Sequence, residues 1–185
     1  MRYAYSMADT VPGTEVAVTI RSYRPTDHLS CRALWAEFVE EHRRLYDDPT
    51  LGGEDPGAGF EEYLTRLDLS GMWVADHAEE GVVGFVGLVL GERPGKGEVE
   101  PVVVSEPHRH HGIGRALLGK VAHEARRRQL DHLTISPASR NVDAIRCLHS
   151  VGYTVLSSIT LTLDLDGRGP KWQDGIDLHG LRFSY

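Results

Sequence analysis

The stretch VVVSEPHRHHGIGRALL, residues 102–118, decides the reading of this chain. Val102, Val103 and Val104 form a short apolar run of the kind that makes a buried strand. A polar turn follows, and from Ile113 the apolar positions take up helical spacing. At such a strand-to-helix junction the first helical amides lack intrahelical acceptors, and the helix dipole adds partial positive charge. Gly112 and Gly114 let a bulky anion approach those amides without meeting a Cβ. Arg109 and Arg115 can add charge-assisted hydrogen bonds. The run Arg109, His110, His111, Gly112, Ile113, Gly114, Arg115 is therefore a candidate diphosphate cradle.

Other phosphate turns fit less well. A dinucleotide-binding turn asks for a third glycine at position 117, which is Leu117, and for an early strand in the fold. A nucleotide P-loop asks for Gly-Lys followed by Ser or Thr, which is missing. His108, His110 and His111 are adjacent loop histidines without a Cys or carboxylate pattern beside them, so no metal site is assigned.

Outward from this turn, residues 98–104 read as one strand. Residues 72–76 and 82–90 read as two more, joined in a hairpin by an Ala-Glu-Glu-Gly turn. Upstream, 16–23 alternates as a first strand, and Thr26 or Asp27 can cap a helix over 28–46. Residues 47–59, rich in Gly, Pro and Asp, form a loop before a shorter helix at 60–67. Downstream, the helix at 112–128 presents Leu117, Leu118, Val121, Ala122 and Ala125 to a core. A short strand at 133–136, a helix at 141–150 and strands at 153–156 and 158–165 complete the pattern. The expected fold is a mixed α/β sheet of about seven strands, mostly antiparallel and twisted, with helices on both faces.

Composition sets the frame. The chain has 185 residues, 41% of them hydrophobic and 25% charged, an ordinary balance for one globular domain. No apolar run is long enough to span a bilayer. Residues 1–17 lack an apolar signal region and are read as a polar leader. The domain runs from 18 to 165. The extension at 166–185, with Trp172, Leu181 and Phe183, is either a homodimer surface or a cover for one sheet edge. Cys31 and Cys147 match no metal or redox spacing, which suits reduced thiols in a cytoplasmic protein. The formal net charge of −7 disfavours a nucleic-acid partner. Charge is also segregated. Residues 27–68 hold eleven Asp and Glu against four Arg, while 106–128 hold six Lys and Arg and four His against two Glu.

The motif Arg109-x-x-Gly112-x-Gly114 after a fourth strand is joined by a second block, Asn141, Ala144 and Gly152-Tyr153. In this order and separation they resemble the GNAT superfamily of acyl-CoA-dependent N-acyltransferases. The resemblance covers roughly residues 18–165. It implies acetyl-CoA as acyl donor and an amine as acceptor. It also implies a pantetheine arm bonded to the main chain of the strand carrying Val102, Val103 and Val104. The diphosphate would sit on the amides from Arg109 to Arg115, and Asn141 would touch the pantetheine. Tyr153 would be a packing corner.

Acyl transfer to an amine needs the amine neutral, yet a lysine-like amine is unprotonated at pH 7 in less than about one part in a thousand. A general base relieves this. Glu98 and Glu100, two apart on a strand, project from one face and are the candidate catalytic residues. Glu98, where relatives place their base, is the first choice. Pro101 has no amide hydrogen, which predicts a bulge or splay beside them. Relatives take their acid for the leaving thiolate from a Tyr seven residues after the Asn; that position is Leu148 here, and no acid is assigned. Acidic residues Glu40, Glu41, Asp47 and Asp48 on the acceptor side favour a cationic amine. Two functions stand: an N-acetyltransferase, or a non-catalytic acyl-CoA-binding module in which Leu148 marks lost chemistry.

Overall fold

The computed structural model describes residues 18–91, 94–165 and 172–185. The expected leader 1–17, and the part of the extension from 166 to 171, lie outside them. Strand β1 (Val18–Ser22) stops before Pro25, whose fixed φ suits the 3-10 turn Pro25–Asp27 that opens α1 (His28–Tyr46). Asp27 is buried there, accepting from the Arg24 amide at 2.8 Å and from the Arg21 guanidinium at 2.7 and 2.9 Å. Arg21 also reaches Asp76 at 2.6 Å, so one guanidinium ties β1, β2 and the root of α1 together. That hydrogen bonding from Arg21 holds the Asp27 carboxyl below its usual range.

After the polar loop come α2 (Gly59–Arg66), β2 (Met72–His77), β3 (Gly81–Leu90) and β4 (Lys96–Val104). Then α3 (Ile113–Arg127) crosses over to β5 (His132–Thr134), and α4 (Val142–Ser150) follows. The sheet order is β1-β2-β3-β4-β5. The first four strands are antiparallel, and β5 lies parallel to β4. A separate hairpin, β6 (Ile176–Leu178) with β7 (Leu181–Phe183), stands in the extension.

Each face of the sheet has its own core. Cys31 and Leu34 of α1, with Phe60 and Tyr63 of α2, close over Met72, Val74, Phe85 and Val103. Ile113, Leu117, Leu118 and Val121 of α3, with Leu148 of α4, close over Trp73, Val86, Leu88 and Val99 on the other face. Burying each such side chain contributes about 1.5–3 kcal/mol. Two register shifts change which face a side chain meets. One lies opposite Ala75/Asp76 in β3. The other lies between Val99 and Val102 in β4, where Glu100 and Pro101 together oppose Gly87.

Helices and the first five strands lie within a few residues of expectation. The two closing strands do not. Every residue from 154 to 165 is exposed, and among the described residues none of them joins a ladder. The extension supplies two short strands instead. Alternation of apolar residues is a local property of the chain, whereas a ladder also needs an edge within reach.

Candidate active site

The pairing of β4 with β5 covers only Lys96, Gly97 and Glu98, opposite His132, Leu133 and Thr134. Beyond Glu98 the two strands part. Val102, Val103 and Val104 remain paired with β3 through Val86, Phe85 and Gly84, and among the described residues no strand pairs on their other side. The main chain of these three valines thus borders an open wedge on the β5 side. Pro101 sits at its mouth, as the missing amide hydrogen predicts.

At the far end of the wedge the chain turns into α3. His110 and Gly112 both hold left-handed backbone, with φ of +65° and +84°. Among the described residues the amides of Gly112, Ile113, Gly114 and Arg115 meet no protein acceptor, and no side chain caps the helix. A Cβ built on Gly114 would only graze Val104 at 3.9 Å, so the approach to those amides is open. Four free donors, a helix dipole and a left-handed glycine make a candidate anion cradle. His110, His111 and Arg115 lie exposed around it.

Arg109 is held more tightly than the sequence suggested. Its Nε donates to the Val104 carbonyl at 3.1 Å and its Nη1 to Glu41 of α1 at 3.1 Å. The Glu106 amide donates to Glu37 at 3.2 Å. The acidic face of α1 is therefore laid against the basic turn. Glu40 pairs with Arg43, Glu41 with Arg44 and Arg109, and Asp48 binds Thr50. Glu40, Glu41 and Asp48, three of the four carboxylates read as an acceptor magnet, thus have internal partners.

Glu98 and Glu100 do share a face, the one covered by α1 and α2. Glu98 stands opposite Val89, on the Phe85 side of β3, and Glu100 accepts from Arg66 of α2 at 2.9 Å. The nearest hydrogen-bonding group to Glu98 is the Ser136 hydroxyl at 3.5 Å. Among the described residues no cation pairs with Glu98. Glu100 is neutralised, and Glu98 is not.

Three residues near this site, Arg66, Tyr63 and Arg140, escaped the sequence reading, and a fourth, Glu41, was read only as part of an acidic acceptor side. Arg66 claims Glu100 and Glu41 claims Arg109, both across the fold and without local signal. Tyr63 lies over the Gly87–Glu100 bulge with its hydroxyl buried and unpaired. Arg140 is buried, donates to the Leu45 carbonyl at 3.0 Å and stacks on Tyr46 at 5.1 Å. It joins the β5–α4 loop to the C-terminal end of α1, where a cation suits the dipole.

Asn141 is the N-cap of α4, its side chain accepting from the Ala144 amide at 3.0 Å. Leu148 is buried in the core beneath α4, while His149 is exposed. Tyr153 is half-buried, with a buried unpaired hydroxyl whose pKa burial pushes up. His108 belongs to a different cluster with His77 and Glu80, whose ligand-type atoms lie within 4.8 Å. Nδ1 of His77 accepts from the amides of Glu79 and Glu80 at 3.3 and 3.1 Å. The neutral ring therefore carries its proton on Nε2, toward Glu80, and offers no lone pair to a metal there. The cluster braces the β2–β3 turn against the loop that leads to Arg109.

Residues 31–153 match the model of the Acetyltransferase (GNAT) family. The chain belongs to that family. Acetyl-CoA is the co-substrate of GNAT acetyltransferases, and the open wedge with its free amides fits a pantetheine diphosphate. Solved GNAT structures overlie it widely. One is YncA of Salmonella typhimurium, described as a putative acetyltransferase with its cofactor acetyl-CoA. It is 25% identical, with 83% of this chain and 88% of that chain covered and a TM-score of 0.58. Another is the ribosomal-protein-alanine N-acetyltransferase of Brucella melitensis, 25% identical over 72% and 82%, TM-score 0.57. A tetramutant of BH1408 from Bacillus halodurans shares the fold at a TM-score of 0.66 and 20% identity, over 79% and 99%. A search of curated protein sequences finds no match. No helix of the described residues is long and apolar enough to cross a membrane.

Proposed function

We propose that this chain is an N-acetyltransferase that moves the acetyl group of acetyl-CoA to a primary amine by direct attack. The acceptor is an amine of a small molecule or of a protein or peptide. The observation that carries the reading is the contrast between two carboxylates on one face of β4: Glu100 is bound to Arg66, while Glu98 is left without a cation where β4 and β5 part.

Acetyl-CoA supplies the activated acyl group as a thioester. The main chain of Val102, Val103 and Val104 holds the pantetheine. The amides of Gly112, Ile113, Gly114 and Arg115 hold the diphosphate, helped by the Arg115 guanidinium, whereas the Arg109 amide is spent on the Glu106 carbonyl at 3.3 Å. Asn141 lines the pantetheine with the amide nitrogen its capping role leaves over. Glu98 attracts the incoming ammonium and accepts its proton, directly or through water, so that a neutral amine is presented. The preference for a cationic acceptor rests on Glu98, since the α1 carboxylates are engaged elsewhere. Glu100 with Arg66 sets the shape of the bulge. Both cysteines are unpaired, in keeping with a reducing cytoplasm.

A second reading has its own support. Leu148, at the position where relatives carry their acid, lies in the core, and the Tyr153 hydroxyl is buried, as in a protein that binds acyl-CoA without turning it over. Turnover of acetyl-CoA against a panel of amines separates the two. The enzyme reading expects Glu98→Gln to lower kcat by about 10²–10⁴-fold, with Glu100→Gln much milder. Tight binding of CoA with no turnover on any amine would favour the binding module.

A further inference from the structure

On the β3 side of β4, three side chains form a relay that acetyl transfer does not use. Ser105 follows β4 and still pairs with β3, its amide donating to the Val83 carbonyl at 2.9 Å. It therefore lies across β4 from the wedge. Its hydroxyl is 2.9 Å from Nδ1 of His108, and Nε2 of the same ring is 3.2 Å from a carboxylate oxygen of Glu80. The chemistry of the three groups fixes the direction of both bonds. A carboxylate only accepts, so the neutral ring carries its proton on Nε2. Nδ1 is then a lone pair, and the Ser105 hydroxyl donates to it. His77 steadies the turn that presents Glu80, accepting from the Glu80 amide at 3.1 Å. A hydroxyl donating to an imidazole, whose other nitrogen donates to a carboxylate, is the arrangement of an activated serine with the two ring nitrogens exchanged.

All three side chains line a surface cavity of about 320 Å³ between α1 and the start of β3, the size of a small ligand pocket. Ala33, Leu34, Val82 and Val83 give it apolar walls, and the Ser30 hydroxyl offers a donor for a carbonyl oxygen. Glu37 and Glu80 make its lining negative, which suits an uncharged or cationic ligand and repels an anion. We propose that Ser105 is the nucleophile of a separate esterase site for small uncharged or cationic acyl esters, with His108 as general base and Glu80 as positioning residue. As the Ser105 oxygen bonds to the acyl carbon, its proton passes to Nδ1 of His108. The ester C–O bond breaks, and the leaving alkoxide takes that proton. Water then gives a proton to Nδ1 and its oxygen to the acyl carbon. The acyl–Ser105 bond breaks, and the serine oxygen recovers the proton. The sum is one ester and one water converted to an alcohol and a carboxylic acid, with nothing drawn from acetyl-CoA or Glu98.

The test treats the full chain with diisopropyl fluorophosphate, which loses fluoride as it phosphorylates an activated serine, and follows hydrolysis of p-nitrophenyl acetate. Intact mass should show one diisopropylphosphoryl group, and peptide mapping should place it on Ser105. Ester hydrolysis should saturate with substrate. Ser105→Ala and His108→Asn should each lower its kcat by about 10²–10⁴-fold while still melting cooperatively. The Glu80 side chain is 60% exposed, so its charge is partly screened. Glu80→Gln should lower kcat less than His108→Asn does and leave KM unchanged. An unlabelled wild type, or a label mapped to another residue, would overturn the proposal without recourse to any variant. Hydrolysis undiminished in Ser105→Ala would overturn it too, placing the reaction on scattered surface nucleophiles. So would full labelling of Ser105 in His108→Asn, which would show a serine that reacts without its base. None of these readings depends on acetyl-CoA, so this site and the acetyl-transfer site stand or fall separately.

Discussion

At the scale of single residues, Gly87 and Tyr63 define the bulge as sharply as Pro101 does. A Cβ on Gly87 would overlap both the Tyr63 hydroxyl and the Glu100 carbonyl. Gly87→Ala should therefore destabilise the protein by about 1–3 kcal/mol, read as a fall in melting temperature. Tyr63→Phe removes a buried hydroxyl that has no partner, so alone it should leave stability unchanged or raise it by about 1 kcal/mol. It should also recover part of the Gly87→Ala loss, because the nearest of the three clashing atoms is gone. A double-mutant cycle by thermal melting checks both. None of this is visible in the string of residues. Glu98, Glu100 and Pro101 could be placed on one bulged strand by spacing alone. Which carboxylate stays free depends on Arg66, which lies 34 positions from Glu100 and meets it only in the folded sheet.

The elements repeat that division. Strand–turn–helix order around residues 102–118 was legible because its signals are local: three valines, a polar turn, two glycines, then helical spacing. The closing strands were not, since a ladder needs a partner that pattern cannot name. Within α3, Glu124 is buried yet accepts from Arg127 at 2.5 and 3.0 Å and from Arg128 at 3.0 Å. Those hydrogen bonds, Arg127 first, bring its carboxyl down from 4.5 to about 2. A carboxyl depressed in the folded state lends stability above its unfolded pKa and loses it as pH falls toward the folded one. Unfolding followed by circular dichroism should thus show stability falling between about pH 4.5 and 2, with a shallower fall in Glu124→Gln. In α4, Asn141→Ala should remove about 1 kcal/mol through loss of the cap. Serine at 141 should restore it, and chemical denaturation reports the difference.

For the whole molecule, donor binding and folding are linked. A ligand at a hundredfold excess over its Kd adds about 2.7 kcal/mol to stability, which for a chain of this length raises the melting temperature by roughly 5–10 °C. Acetyl-CoA should do so in the wild type. Gly112→Glu should abolish the shift while the apo protein still melts cooperatively, because the new carboxylate lies in the anion cradle. A preserved shift would disprove the cradle at Gly112. The segregation of charge seen in the sequence has its meaning at this scale too: the acidic helix α1 is clasped to the basic turn, with Glu41 on Arg109.

The extra residue in β4 acts as a parity switch. Val99 faces the α3 layer, and so do Val102 and Val104, although an unbroken strand would send odd and even positions to opposite sides. One strand thereby serves two layers, giving Glu98 and Glu100 of its first half to one side and Val102 and Val104 of its second half to the other. Removing a single residue at 100–101 would restore regular alternation and reverse one half of the strand. Either the carboxylates would turn into the α3 core or the paired valines would exchange faces. The chemistry and the packing of this sheet are set by the same count of residues, so neither can drift by one position without the other.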